Sequence, residues 1–317
     1  MLVRSWMKRV RFKRHHNISL YRFIKIFVAN IQKDDLINRA NGVAFNFILA
    51  IFPAIIFLFT LIPYVAIYFP DVNQNSIMEF MGELLPASMY EVVSSTIFDI
   101  VNNQRGGLLT FGFLFALYLS TNGMMALMGA FNACYQTVER RSAIRMRITA
   151  TGLTFMLALV LISAVAFLVI GQLTIDYITN NLSEFSHMNF DKYTLYLLFG
   201  LRFLVIFIVF FVAISFIYYF GPAIHYNWSF FSIGSFLATL GSLGISYGFS
   251  FYITNFGTYN KVYGSIGVLI ALMIWVQLIT VVLLFGYEIN ASLHHGIKVE
   301  AIELHRRQMR IAEQSTK

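Results

Sequence analysis

The chain has 317 residues, of which 58% are hydrophobic, 17% aromatic and only 12% charged, with a formal net charge of +8. About a quarter of the residues are charged in an ordinary soluble domain, so this composition, with a mean hydropathy of +0.69, excludes a soluble globule. Several apolar runs reach the roughly 20 residues a helix needs to cross a bilayer, and the single cysteine, Cys134, excludes an internal disulfide or a paired-thiol metal or redox motif.

In chain order, a basic arm comes first: Arg4, Lys8, Arg9, Arg11, Lys13 and Arg14, interleaved with Trp6 and Phe12. Basic and aromatic residues together can bind nucleic acid. A basic cluster beside a membrane, however, gains about 1 kcal/mol per residue from anionic lipid, which explains the arm with membrane lipid as the partner and no nucleic acid. No short apolar stretch with a small-residue cleavage site follows, so no secretory signal is expected. Next, Ile18, Tyr21, Ile24, Phe27, Val28 and Ile31 recur at helical spacing while Arg22, Lys25 and Gln32 lie elsewhere, predicting an amphipathic helix flat on the inner leaflet. Residues 1–42 thus read as a cytoplasmic arm and interfacial helix.

Six apolar runs predict spans at about 43–69, 108–135, 148–178, 194–220, 229–256 and 265–291, so that 43–291 is a transmembrane domain and 292–317 a cytoplasmic tail. Bilayers admit only helices or closed barrels, and these runs are too long and too continuously apolar for barrel strands. The fold class is therefore all-α, a polytopic bundle of six transmembrane helices. Pro53 and Pro63 remove backbone donors within the first span and predict a bend there. Between the first two spans, Ile77, Phe80, Met81 and Leu84, then Met89, Val92, Val93, Ile97 and Ile100, recur at threes and fours around Pro86. This predicts an extracytoplasmic helical hairpin within 70–107, either a cap on the bundle or a docking surface for an envelope protein. In the fifth span Gly244 and Gly248 form a GxxxG continued by Ser242, Ser246 and Ser250, expected to pack a neighbouring helix within the chain.

Orientation follows from lysine and arginine. Ten lie in residues 1–42, four between Glu139 and Arg147, and five in the tail from His294, whereas the loop 70–107 holds five acids against Arg105 alone. The positive-inside rule then puts both termini in the cytoplasm of a bacterial inner membrane, which an even number of spans satisfies. Charges within spans are costly, about 2.5 to 3.5 kcal/mol at the centre of a helix, so Arg202 and Glu288 are functional candidates. They lie at different depths and should not pair. At matching levels Arg202 finds Asn122, Gln277 or Gln172; Glu288 finds Asn46, Asn132, Tyr135, Arg39 or Arg140. With Asn41 and Asn290, the residues Asn46, Asn132, Arg140 and Glu288 outline a polar path at the inner mouth. The histidine pairs His15–His16 and His294–His295 lack cysteine or acid at ligand spacing, and no phosphate-cradling glycine loop, GxSxG or HExxH occurs. No metal and no cofactor is expected.

Three segments carry a family resemblance: Ala44 to Pro53 of the first span; Ser120 to Arg141 with Asn132, Tyr135, Glu139, Arg140 and Arg141; and the pattern Tyr263-Gly264-Ser-Ile-Gly267, Trp275, Gly286-Tyr-Glu288-Ile-Asn290. Their order and spacing resemble the YihY/BrkB family of bacterial inner-membrane proteins over roughly residues 20 to 295. Tyr287 departs from the alanine frequent there, and Gln277 from a frequent aromatic. The resemblance implies six helices, no cofactor and an association with envelope integrity and, in some members, virulence. Members have also been labelled ribonuclease BN. Metal-dependent RNA hydrolysis needs clustered carboxylates or histidines facing a groove in water, and Asp34 with Asp35 does not make such a site, so no enzyme is expected.

Two functions fit: a conduit for the head group of a lipid or other anionic amphiphile, whose phosphate suits arginine, and a non-transporting scaffold that docks envelope proteins. Both require the even-span topology. Fluorescent and phosphatase fusions at either terminus are expected to report the cytoplasmic side; a periplasmic signal from either would refute the orientation.

Overall fold

The computed structural model describes residues 11–12, 18–33, 35–65, 94, 98–99, 104–134, 137–180, 192–223, 229–255 and 265–315. A ribbon of β1 (Arg11–Phe12) and β2 (Ile18–Ser19) pairs Arg11 with Ser19 and Phe12 with Ile18, antiparallel. Seven helices follow among the described residues: α1 (Leu20–Lys33), α2 (Leu36–Val65), α3 (Gly106–Cys134), α4 (Ala143–Asn180), α5 (Lys192–Phe220), α6 (Ile233–Asn255) and α7 (Ser265–Ser315). Six hold stretches long and apolar enough to cross a membrane: Leu36–Tyr64, Gly106–Cys134, Ala143–Ala164, Phe203–Phe220, Ile233–Ile253 and Leu269–His294. The all-α class and six spans agree with the sequence. The first span starts earlier than expected, at Leu36, and α7 runs unbroken through the tail to Ser315. Within 70–107 only Ser94, Phe98, Asp99 and 104–107 are described, so the expected hairpin lies outside the described residues, as do Arg4, Lys8, Arg9, Lys13 and Arg14.

α1 and α2 are separate because Asp35 takes a left-handed φ of 47°, which a short polar side chain tolerates. Asn38 secures the turn by donating to both Asp35 carboxylate oxygens, at 2.9 and 2.8 Å. Successive spans pack on one another, α2 on α3, α3 on α4, and so on to α6 on α7, and α7 closes the circle by packing on α2. The result is a ring of six helices, with α7 also reaching α3 and carrying α1 on its flank. Large apolar side chains point out of the ring: Phe111 is 63% exposed, Leu159 66% and Tyr247 78%. In water such a surface would aggregate; in lipid it is the matching face.

Inside a bilayer, helix association depends on close packing, which small residues permit. Gly112 receives the backbone of Phe57 and Gly123 the ring of Phe47, joining α2 to α3. The tightest crossing joins α6 to α7. A Cβ on Gly234 would stand 2.1 Å from the Gly286 carbonyl oxygen, and one on Gly286 would stand 2.7 Å from the Gly234 oxygen and 2.6 Å from the Tyr218 hydroxyl. The expected GxxxG contact is not found: a Cβ on Gly244 or Gly248 meets nothing within 4 Å, and both glycines line an open apolar cleft between α6 and α7 with Ile245, Tyr252 and Ile274. Gly286→Ala should therefore lower stability by about 2 kcal/mol or more, through overpacking. Gly244→Ala and Gly248→Ala should be neutral or slightly stabilising, by up to about 1 kcal/mol. Thermal unfolding in detergent compares the three variants.

Candidate functional site: polar clusters at the terminal end of the bundle

α2 begins and the span of α7 finishes at the same end of the ring, which also carries the α3–α4 and α5–α6 connections. Most of the chain's polar chemistry is here. Glu288 on α7 is fully buried, and its Oε1 accepts hydrogen bonds from Asn30 Nδ2 of α1 at 2.7 Å and from Ser292 Oγ at 2.8 Å. Asn30 Nδ2 also lies 3.2 Å from Ser292 Oγ. Phe27 of α1 meets Phe285 at a centroid distance of 6.3 Å, so α1 is docked on α7 beside this carboxylate. Phe27 and Asn30 of the amphipathic helix face α7, while Ile24 and Val28, on the same expected apolar face as Phe27, stay exposed, as residues turned to lipid would be. Asn30 was missed because a lone amide among apolar residues carries no functional signature until its carboxylate partner, 258 residues away, is known.

One helical step on, Asn290 serves another helix. Its Oδ1 accepts from Gly234 N at 2.9 Å and its Nδ2 donates to Ser232 Oγ at 2.8 Å, supplying an acceptor to the first turn of α6, where backbone donors lack partners in their own helix. Between these two sits Tyr287, stacked on Phe131 of α3 at 4.3 Å and edge-on to Tyr218 of α5 at 5.5 Å. The Tyr218 hydroxyl donates to the Leu283 carbonyl at 2.5 Å. Tyr287, the family departure noted in the sequence, thus fills the centre of the ring.

Asn132, expected beside Glu288, joins a different cluster. Its Nδ2 donates to Glu139 Oε2 at 2.8 Å and its Oδ1 accepts from Ala223 N at 2.7 Å. Arg141 grips the same carboxylate through Nε at 2.8 Å and Nη2 at 2.7 Å, and Nη2 reaches the Gly221 carbonyl at 2.8 Å. The α3–α4 connection is thereby tied to the α5–α6 connection. The Arg141 guanidinium holds the Glu139 carboxyl down at about 2, from an ordinary 4.5. Arg140, the expected member, is exposed; the paired arginine is its neighbour, and nothing in two adjacent arginines marks which one turns inward.

On the outer flank of the ring, Arg39, Gly42, Val43 and Asn46 of α2 and Ala126, Gly129, Ala130 and Ala133 of α3 line a shallow, open pocket of about 300 Å³. The Arg39 Nη1 is buried and has no hydrogen-bond partner among the described residues. Asn46 donates to the Gly42 carbonyl at 2.8 Å. Further along α3, Arg147 Nη1 donates to Asn122 Oδ1 at 2.6 Å and Thr121 Oγ1 at 2.9 Å, with its Cζ 4.9 Å from the centre of the Tyr118 ring. Arg147 was assigned to a loop, but α4 starts at Ala143 and takes it in. Asn41 Oδ1 accepts from Gln277 Nε2 at 2.8 Å. Arg202 stands on α5, and its side chain lies outside the described residues; two of the partners expected for it, Asn122 and Gln277, engage Arg147 and Asn41. The expected polar path is thus divided among separate clusters, and of its residues only Asn46 lines the pocket.

Among the described residues no group of three or more His, Cys, Asp or Glu is placed to hold a metal ion. The ring of apolar spans with polar knots at one end defines a polytopic helical membrane protein. Residues 27–311 match the model of the family described as "Virulence factor BrkB", and the chain belongs to that family. It is 34% identical, over 83% of its length and 91% of the relative's, to the "Putative ribonuclease-like protein YfkH" of Bacillus subtilis (strain 168). It is 24% identical, over 94% of its length and 90% of the relative's, to a "UPF0761 membrane protein" of Pseudoalteromonas atlantica. No solved structure matches the chain.

Because the Glu139 carboxyl is held low when folded, its contribution is complete above about pH 4.5 and is lost as pH falls toward 2. Arg141→Ala should cost about 2 kcal/mol at neutral pH and flatten the acid side of the stability profile, whereas Arg140→Ala should cost less than about 0.5 kcal/mol. Melting temperatures from pH 7 down to 3 test both.

Proposed function

We propose that this protein moves the head group of a lipid or other anionic amphiphile through the membrane, in the service of envelope maintenance, and that it does so as a non-enzymatic inner-membrane protein with both termini in the cytoplasm. The observation that carries the reading is the pocket between α2 and α3, lined by Arg39, whose guanidinium holds a buried nitrogen with no acceptor among the described residues. A buried donor without an acceptor is unfavourable by about 1 to 3 kcal/mol, and an anion reaching this guanidinium would relieve it. Phosphate matches guanidinium geometry, and the amide of Asn46 adds a neutral polar wall. Access from the bilayer is supported by the small residues around the pocket: Gly129 is exposed and nothing stands within 4 Å of where its side chain would begin. Glu288 serves this reading structurally, by anchoring α1 to α7. The basic arm would hold anionic lipid near the entrance.

Arg39→Gln should reduce movement of fluorescent phosphatidylglycerol between the leaflets of reconstituted vesicles by about tenfold, roughly the loss of one charged contact. Arg39→Lys should retain part of it, because the charge remains but the fork does not. Thermal stability should change little in either. Flux unchanged by Arg39→Gln would favour the non-transporting scaffold instead.

A further inference from the structure

The pocket at Arg39 adjoins a longer row of residues on α3. Ala133, Gly129, Ala126 and Asn122 recur on α3 at spacings of four, three and four, and Tyr118 follows after four more, so all five share one stripe of the helix. The ring places α2 on one side of α3 and α4 on the other, and this stripe looks outward between them. Gly129 and Tyr118 are exposed, and Ala126, Ala133 and Asn122 are half-buried. The stripe is a shallow furrow facing lipid, floored by alanine and glycine, with a cation on each bank: Arg39 from α2 near one end and Arg147 from α4 at the other. From Ala133 to Asn122 it covers 11 residues, about 16 Å at 1.5 Å per residue, or half of a hydrocarbon core about 30 Å thick.

Arg147 commits one of its nitrogens to its neighbours. Thr121 and Asn122 both accept from the same nitrogen, Nη1, and these are its only side-chain hydrogen bonds among the described residues. The Thr121 hydroxyl in turn donates to the Tyr118 carbonyl at 2.8 Å, which orients its acceptor lone pairs toward the arginine. The Tyr118 ring under Cζ braces the guanidinium. An arginine at this depth is expensive unless it meets an anion, water or acceptors.

We propose that this furrow is the track along which the phosphate head group of an anionic phospholipid travels, passing from Arg39 to Arg147 while its acyl chains stay in the surrounding bilayer. The inference rests on the transport reading above and adds its route and substrate class. Lipid rather than free phosphate is the occupant because the furrow opens sideways onto an apolar surface, where Phe45 of α2 and Phe111 and Leu114 of α3 itself are exposed. Small residues on its floor let a head group lie against the helix, and two guanidinium groups give it successive stations without burying it in the ring.

The test uses the full chain in vesicles of phosphatidylcholine and phosphatidylglycerol, with an acyl-labelled phosphatidylglycerol as reporter of flux and native mass spectrometry as reporter of bound lipid. Arg147→Gln and Gly129→Leu should each reduce flux by about tenfold, Gly129→Leu by obstructing the floor, while phosphatidylglycerol adducts that depend on Arg39 persist. Gly152→Leu on α4, where the backbone likewise meets nothing within 4 Å, places the same bulk outside the furrow and should leave flux unchanged. If Arg39→Gln stops flux but Arg147→Gln and Gly129→Leu do not, the track is refuted and the transport reading survives. If the unaltered protein moves no lipid, both fall. If inorganic phosphate displaces the adducts and phosphatidylglycerol flux is absent, the site is one for free phosphate and the lipid assignment is overturned.

Discussion

The architecture depends on one backbone contact, the crossing of α6 and α7 at Gly234 and Gly286. Neither position admits a side chain, because each Cβ would strike the other helix's carbonyl oxygen. Once the two helices meet there, the next residues of α7 have set tasks. Tyr287 enters the ring against Phe131 and Tyr218, Glu288 is turned toward α1, and Asn290 reaches the first turn of α6. The run Gly286 to Asn290 is therefore a single mechanical unit in which small size, aromatic bulk, charge and amide each meet a different neighbour.

Hydrocarbon offers no hydrogen bonds, so every polar group carried into the spans must be satisfied by protein or by a ligand. The structure meets this demand by gathering polar residues at the terminal end and giving them acceptors and donors from distant segments: Asn30 for Glu288, Ala223 and Glu139 for Asn132, Ser232 and Gly234 for Asn290. These knots also hold the connections of the ring in place. Arg39 differs from them in kind: it is a cation beside an open pocket, and no acceptor among the described residues reaches its buried Nη1. That combination, more than the presence of an arginine, marks a candidate ligand site rather than structural glue.

Glycine gives a parallel contrast. The recognisable GxxxG at Gly244 and Gly248 faces open space, whereas Gly234 and Gly286, which fall in no such motif with each other, make the closest glycine-to-helix contact among the described residues. Spacing within one helix states which residues share a face, but the partner that uses the face comes from another part of the chain. The same holds for the polar residues. Asn46, Asn132, Glu288 and Asn290 were recognisable as polar groups at one end of their spans, yet they belong to separate clusters because they project from different sides of different helices.

From the amino-acid order alone came the membrane setting, the six spans and the all-α class, because these follow from the length of apolar runs and the insolubility of unpaired backbone in lipid. The family was legible for the same reason, in motifs whose order is linear. Tertiary structure alone decided that the spans close into a ring, that α1 docks on α7 through Asn30, that Arg141 rather than Arg140 binds Glu139, that Arg39 lines a pocket against α3 and that Arg147 reaches Asn122. Each of these joins residues far apart in the chain or chooses between equivalent neighbours, and such choices depend on helix rotation and crossing, which hydropathy along one strand of sequence does not encode.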